Sequence, residues 1–301
     1  MVDNETENKS VPNLHPNVNV QCCFCGPVRQ CGPYLQDVMQ NIKKIGSHLF
    51  GTKYAVVIFY DKSNDNSLAV LKKWKEKWLK VGITMHLFIN PATTLLPYRT
   101  HRIALARNKC VDIIHNKYPQ CPYFAMMDFD SPNSKPCRNV EKLDKYFDKD
   151  RMLNKWDALS FQTSPQYYDI WALSIPPFSF SYNHFPNNDR YYGIIQKYVN
   201  KRLVTTTSLV PCISAFNGFS FYKTAKFRGC RYAGSIGASI QCSRQSWIND
   251  HKRATRSSSL VFIDYGNVNG KQEDCEHRSF HMQGINRHNA QIRISPEIIF
   301  G

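Results

Sequence analysis

Tyr123-Phe124-Ala125-Met126-Met127-Asp128-Phe129-Asp130, followed by Ser131, Pro132 and Asn133, is the stretch that decides the fold class of this chain. A short apolar run ends in two carboxylates one residue apart, and strand-stopping residues follow, which predicts a buried strand delivering an acidic pair to a sheet edge. Carboxylates so close repel each other, and an oxygen-loving divalent cation such as Mg or Mn offsets that repulsion. On its own an Asp-x-Asp more often caps a loop, so the surrounding chain has to decide.

Working back from it, Thr100 to Lys117 reads as a helix with Ile103, Ala106, Cys110, Ile113 and Ile114 on one stripe. Arg107 falls within that stripe, with Asn108 beside it. An inward guanidinium must be paired or reach an anion, or else snorkel from the stripe's edge. Ile83 to Ile89 and the continuously apolar Tyr54 to Tyr60 read as strands, the latter covered on both faces. Asp61 ends that strand, and Ser63 to Ser67 form a loop able to cap the helix carrying Lys72, Lys73, Lys75, Lys77 and Lys80. Val18 to Cys25 predicts a first strand and Gly32 to Phe50 a helix. These β-α units predict an α/β class with a Rossmann-like, mostly parallel central sheet flanked by helices. Ligands of such sheets bind at the carboxyl ends of the strands, where Asp61 and Asp128 fall. Neither a G-x-G-x-x-G nor a P-loop pattern stands in the expected place, which argues against dinucleotide oxidoreductases and P-loop enzymes.

Beyond the acidic pair, Trp156 to Phe161 reads as a strand and Pro176 to Asn188 as a long loop. Ile213 to Tyr222 is a strand interrupted at Asn217-Gly218, where glycine marks either a close approach or a plain turn. Cys230 to Ser259 shows no clear period. Leu260 to Asp264 reads as a strand, Gln272 to Arg287 leads into a helix, and Gln291 to Phe300 has strand character. Glu273, Asp274 and Glu276 with His277 form a second acidic cluster, which the helix dipole alone would also favour.

Composition bounds the function more loosely. The 301 residues carry a formal charge of +16 with 42% hydrophobic residues, enough for a full core. The basic residues are scattered, and the lysine-rich helix has the spacing of a solvated face, so charge singles out no partner. No apolar run approaches the ~20 residues of a membrane span. The polar residues 1–17 have no signal-peptide core and read as a tail, so a soluble protein is expected. Eleven cysteines lack the regular spacing of a secreted framework. Cys22, Cys23, Cys25 and Cys31 crowd together without paired zinc spacing, which makes a reducing cytoplasm the expected compartment.

Seven short motifs recur in one order. Cys31-Gly-Pro-Tyr-Leu35 opens a helix, Tyr60-Asp61-x-Ser-Asn-Asp65 follows a strand, and Ala106-Arg107-Asn108 precedes Asp128-Phe129-Asp130. Tyr168-Asp169-Ile170-Trp171, Phe216-Asn217-Gly218 and Glu273-Asp274-Cys275 complete the set. In this order the chain resembles a glycosyltransferase of the GT-A fold, and most resembles the fungal capsule-type α-1,3-mannosyltransferase family and its relatives in large DNA viruses.

The resemblance implies a single domain, with a nucleotide-sugar-binding half over 18–130 and an acceptor-binding, catalytic half over 131–301. It implies that Asp61 and Asp65 hold the nucleoside of a UDP- or GDP-sugar, and that Asp128 and Asp130 bind Mn or Mg at its diphosphate. Arg107, with Asn108 beside it, would then offset charge on the departing nucleotide. Asn217 and Gly218 resemble the loop facing the donor sugar, Asp169 and Trp171 fall to the donor sugar or the acceptor, and Asp274 with Glu273 resembles the reacting carboxylates. His281, or His277, is the late histidine available as a third metal ligand. The fungal relatives are membrane-anchored, whereas this chain shows no anchor; a cytoplasmic enzyme acting on a glycan or glycoprotein acceptor is expected, within the host cytoplasm if viral. Metal-dependent phosphoryl or nucleotidyl transfer is the second reading and would need a further carboxylate, Asp157 or Asp264. A basic nucleic-acid-binding protein, with Tyr167, Tyr168, Tyr191 and Tyr192 as stacking groups, is the third and least supported.

Overall fold

Apolar runs without alternation carry the sheet because helices cover both of its faces. The computed structural model describes residues 19–91, 96–182, 188–235, 238–255 and 273–301. The tail at 1–17 and the expected strand Leu260 to Asp264 lie outside the described residues.

The strands are β1 (Cys22–Val28), β2 (Tyr54–Tyr60), β3 (Thr84–Ile89), β4 (Tyr123–Met127), β5 (Ala158–Gln162), β6 (Val210–Cys212), β7 (Phe219–Lys223) and β8 (Ile292–Ile298). The helices are α1 (Gly32–Phe50), α2 (Ser67–Leu79), α3 (Arg99–Lys117), the one-turn α4 (Ser131–Ser134) and α5 (Asp144–Phe147), α6 (Asn188–Val204), α7 (Ala238–Thr255) and α8 (Glu276–His288). One sheet holds all the described strands in the order β3-β2-β1-β4-β7-β5-β8-β6. The pairs β1–β2, β2–β3, β1–β4 and β5–β8 are parallel, and only β7 and β6 run against the rest. This is a single α/β domain with a mostly parallel central sheet. β7 and β5 add directly to β4, so the two halves of the chain share one sheet.

Strand alternation divides the core. Tyr54, Val56, Ile58 and Tyr60 of β2 pack with Leu35, Ile42 and Ile45 of α1 and Trp74 and Trp78 of α2. Ala55, Val57 and Phe59 point the other way, toward Ala106, Cys110 and Ile114 of α3 and Phe280 of α8. Cys22 and Cys23 fall on opposite faces for the same reason, and the cysteines among the described residues are free. The stretch Cys230 to Ser259, which has no readable period, contains α7. No described helix is long and apolar enough to cross a membrane.

Candidate active site

The end of β4 is fixed by its neighbours. Gly26 of β1 lies against the carbonyl of Met127; a Cβ at Gly26 would meet that oxygen at 2.1 Å, so only glycine lets the strand end this close. The Asp128 N–H donates to the Gly218 carbonyl at 2.8 Å. Asn133, in α4, donates from Nδ2 to the carbonyls of both Asp128 (2.8 Å) and Gly218 (2.6 Å). Asn41 of α1, itself buried, donates to the carbonyls of Asn133 (2.8 Å) and Lys135 (2.7 Å). The turn that presents the acidic pair is therefore held by two asparagines that sequence reasoning passed over. Asn41 carried a signal, as an amide three residues after Val38 on an otherwise apolar helix stripe.

A cavity of about 530 Å3 opens at this sheet edge, within the range of small-molecule sites. Of the residues expected to form the site, Asp61, Arg107, Asp128, Asp130, Asp169 and Trp171 line it. Arg107 is 3% exposed, with Nη2 2.9 Å from Asp128 Oδ1 and Nε 3.0 Å from Glu276 Oε1. Its guanidinium also lies 4.5 Å from the centre of the Phe216 ring, a cation–π contact. Burial opposes its charge, but Asp128 and Glu276 outweigh burial and hold its pKa above the ordinary arginine value. The inward arginine of the stripe is thus paired rather than snorkelled.

Charge in the cavity is mixed. Arg29, Arg99 and Arg102 join Arg107 in the lining, and Arg29 Nε stands 4.0 Å from Asp61 Oδ2. Asp130 is open to solvent at its side chain, yet the protein around it and the negative charge of Asp128 push its carboxyl up to about 6. Burial, with Asp128 and Glu276 nearby, likewise brings Asp169 to about 6, against the N–H that Ala172 donates to it. Burial and then the Arg107 charge depress His277 well below its usual range, so it is a neutral ring stacked at 3.8 Å on Phe216.

The remaining expected residues stand elsewhere. Asp65 caps α1, accepting the Gly32 N–H at 2.7 Å, and does not line the cavity. Asn108 exchanges two hydrogen bonds with the Tyr232 backbone, at 2.9 and 2.8 Å. Asn217 accepts the N–H groups of Tyr168 and Asp169 at 3.1 Å and positions that loop from behind. Glu273 accepts the N–H of Thr100 at 3.1 Å, at the start of α3. Asp274 is fully buried and ion-paired to Arg278 at 3.1 Å, away from the cavity lining. His281 is in the core between Ser214 (2.9 Å) and Tyr222 (3.1 Å), with both ring nitrogens engaged, and is not placed to bind a metal beside the acidic pair. The carboxylate of the second acidic cluster that does enter the cavity is Glu276, the first residue of α8. Sequence had the cluster but not its rotation: the direction in which the chain enters the helix selects among 273, 274 and 276.

The donor chemistry of the acidic pair suits a hard divalent cation, and burial together with the Asp128 charge raises the Asp130 carboxyl even though Arg99 and Arg107 oppose the rise. Among the described residues no group of three His, Cys, Asp or Glu side chains converges as a ready metal shell.

An α/β domain with a mixed-charge cavity at the carboxyl ends of its parallel strands is the class that fold and site define. No family model matches the chain, and no curated protein matches it. Among solved structures it is similar to S. aureus TarS 1–349 in complex with UDP, at 11% identity over 93% of this chain and 59% of that one, with a TM-score of 0.44. It is also similar to the mannosyltransferase PcManGT from Pyrobaculum calidifontis in complex with GDP-Man and Mn2+, at 12% identity over 90% of this chain and 70% of that one, TM-score 0.41. Glucosyl-3-phosphoglycerate synthase from Mycobacterium tuberculosis, in complex with Mn2+, UDP and glucosyl-3-phosphoglycerate, matches at 7% identity over 79% and 69% of the two chains, TM-score 0.42. The chain spans 59% of the length of the TarS fragment.

Proposed function

We propose that the protein is a metal-dependent glycosyltransferase of GT-A type that moves a sugar from a UDP- or GDP-sugar to a hydroxyl of a glycan or glycosylated acceptor. The observation that carries this reading is the convergence of Asp128, Asp130, Arg107 and Asp61 in one cavity at the carboxyl ends of β4 and β2. The ordered motifs support it, and their resemblance to capsule-type mannosyltransferases makes a hexose, mannose included, the first donor sugar to try.

Asp128 and Asp130 would hold Mn or Mg, whose Lewis acidity neutralises the donor diphosphate. Arg107, pre-paired to Asp128, adds fixed positive charge where the departing nucleotide accumulates negative charge. Asp61, tied to Arg29 and to the Asn90 amide at 3.1 Å, faces the nucleoside end. In the transfer the acceptor oxygen bonds to the anomeric carbon as the bond from that carbon to the phosphate oxygen breaks, and the hydroxyl proton must leave. Asp169, with a carboxyl near 6, is the cavity carboxylate suited to receive it at neutral pH, while Glu276 is engaged by Arg107.

The phosphoryl-transfer alternative looks to Asp157 or Asp264 for a further carboxylate. Asp157 is buried against Lys223 at 3.2 Å and lies outside the cavity lining, and Asp264 lies outside the described residues. A panel of UDP- and GDP-sugars, incubated with Mn and assayed for release of UDP or GDP, tests the reading. Metal-dependent release from one or more donors is expected, and no release from any would sink it.

A further inference from the structure

A second cavity, of about 270 Å3, lies beside the first, and Pro132 and Tyr168 form part of both walls. It opens just beyond the end of β5, at Thr163 and Gln166, and along the turn after the acidic pair, at Ser131 and Lys135. That is the same carboxyl edge of the sheet. Ser131, Thr163, Ser164 and Gln166 line it together with the aromatic residues Tyr168 and Phe300. Sugars are bound by this combination, their hydroxyls hydrogen-bonded and their C–H faces laid on aromatic rings.

The partition between the cavities is built in. The Tyr168 N–H is held by Asn217 Oδ1 at 3.1 Å, and its hydroxyl lies against Gly218, where a Cβ would stand 2.5 Å from it. Gly218, at φ 83°, passes its carbonyl to the Asp128 N–H, so the wall is braced to the strand end carrying the acidic pair. Lys135, the one cation among the described residues lining the second cavity, donates to the Ser164 carbonyl at 2.7 Å. With no second cation beside it among those residues, the lining lacks the paired positive charges that hold a phosphate, which favours a neutral ligand.

We propose that the second cavity is the acceptor subsite and takes a neutral hexose, with Tyr168 separating it from the donor side. This rests on the glycosyltransferase reading for its role, though not for its occupancy. The test uses the full chain and methyl hexosides of gluco, galacto and manno configuration, read by saturation-transfer NMR without donor. Gln166→Trp fills the cavity from an exposed position where replacement disturbs the fold little. At least one methyl hexoside is expected to bind wild type, and Gln166→Trp to weaken it by roughly tenfold or more while the melting shift given by Mn with UDP or GDP persists. Equal binding to both proteins, binding of no hexoside, or stronger binding of a hexose 6-phosphate would overturn the proposal. Absence of the nucleotide shift in wild type would instead count against the glycosyltransferase reading, and the hexoside measurement would still decide the subsite.

Discussion

Arg107 reaches Asp128 with Nη2 at 2.9 Å, while its Nε is held at 3.0 Å by Glu276. A helix residue, a strand end and the start of a distant helix are thus joined through one buried guanidinium. Removing one partner of such a set leaves charge without compensation, so Arg107→Met is expected to cost about 3 to 5 kcal/mol in urea unfolding. Combining it with Glu276→Gln should cost less than Arg107→Met alone, because no buried carboxylate is then stranded. A double variant as unstable as the sum of the singles would show that the pair is not coupled.

The acidic pair should govern nucleotide binding. Mn with UDP or GDP at ~100 times its dissociation constant is expected to stabilise wild type by about 2.7 kcal/mol. Asp128→Ala and Asp130→Ala should each abolish that gain in thermal unfolding. If the gain survives both substitutions, neither residue holds the metal or the diphosphate.

Gly218 combines a left-handed backbone with contact to the Tyr168 hydroxyl. Gly218→Ala is therefore expected to lower stability by about 1 to 3 kcal/mol. In a Tyr168→Phe background the same change should cost less, because the contacting oxygen is gone while the φ strain remains. Thermal unfolding of the four proteins measures this, and an identical cost in both backgrounds would assign the whole effect to the backbone.

Asp169 makes stability depend on pH. Its folded pKa of about 6 lies above the ~3.9 of an unfolded aspartate, so between these values the folded chain holds a proton that the unfolded chain has released. Its contribution favours the folded state most at low pH and is lost as pH rises through 6. Asp169→Asn, uncharged throughout, should match wild type near pH 4 and exceed it by roughly 1 to 3 kcal/mol near pH 7.5 in the absence of added metal. Urea unfolding at both pH values checks this, and an equal gain at the two would trace the effect to packing.

The fold was legible where period and punctuation agree. Tyr54 to Tyr60 and Gly32 to Phe50 match β2 and α1 residue for residue, because an unbroken apolar run and a helical stripe each have one economical burial. Where the pattern mixes polar and apolar residues, as in Ala238–Thr255, the helix could not be read. At the site, Asp128, Asp130, Asp61 and Arg107 were readable from strand ends and an inward charge. Asn41, Asn133 and Glu276 were not, since their partners lie far off in the chain.

Sequence alone determined that a buried strand would deliver Asp128 and Asp130 to the edge of an α/β sheet with a charged helix beside it, since local burial and turn chemistry suffice for that. Only the tertiary structure decided that Glu276 rather than Asp274 enters the cavity, that His281 is spent in the core, and that Tyr168 divides one cavity from a second. Those outcomes depend on how α8 is rotated against α3 and how the loop after β5 is pinned by Asn217. Both are set by contacts between residues remote in sequence, which no local pattern encodes.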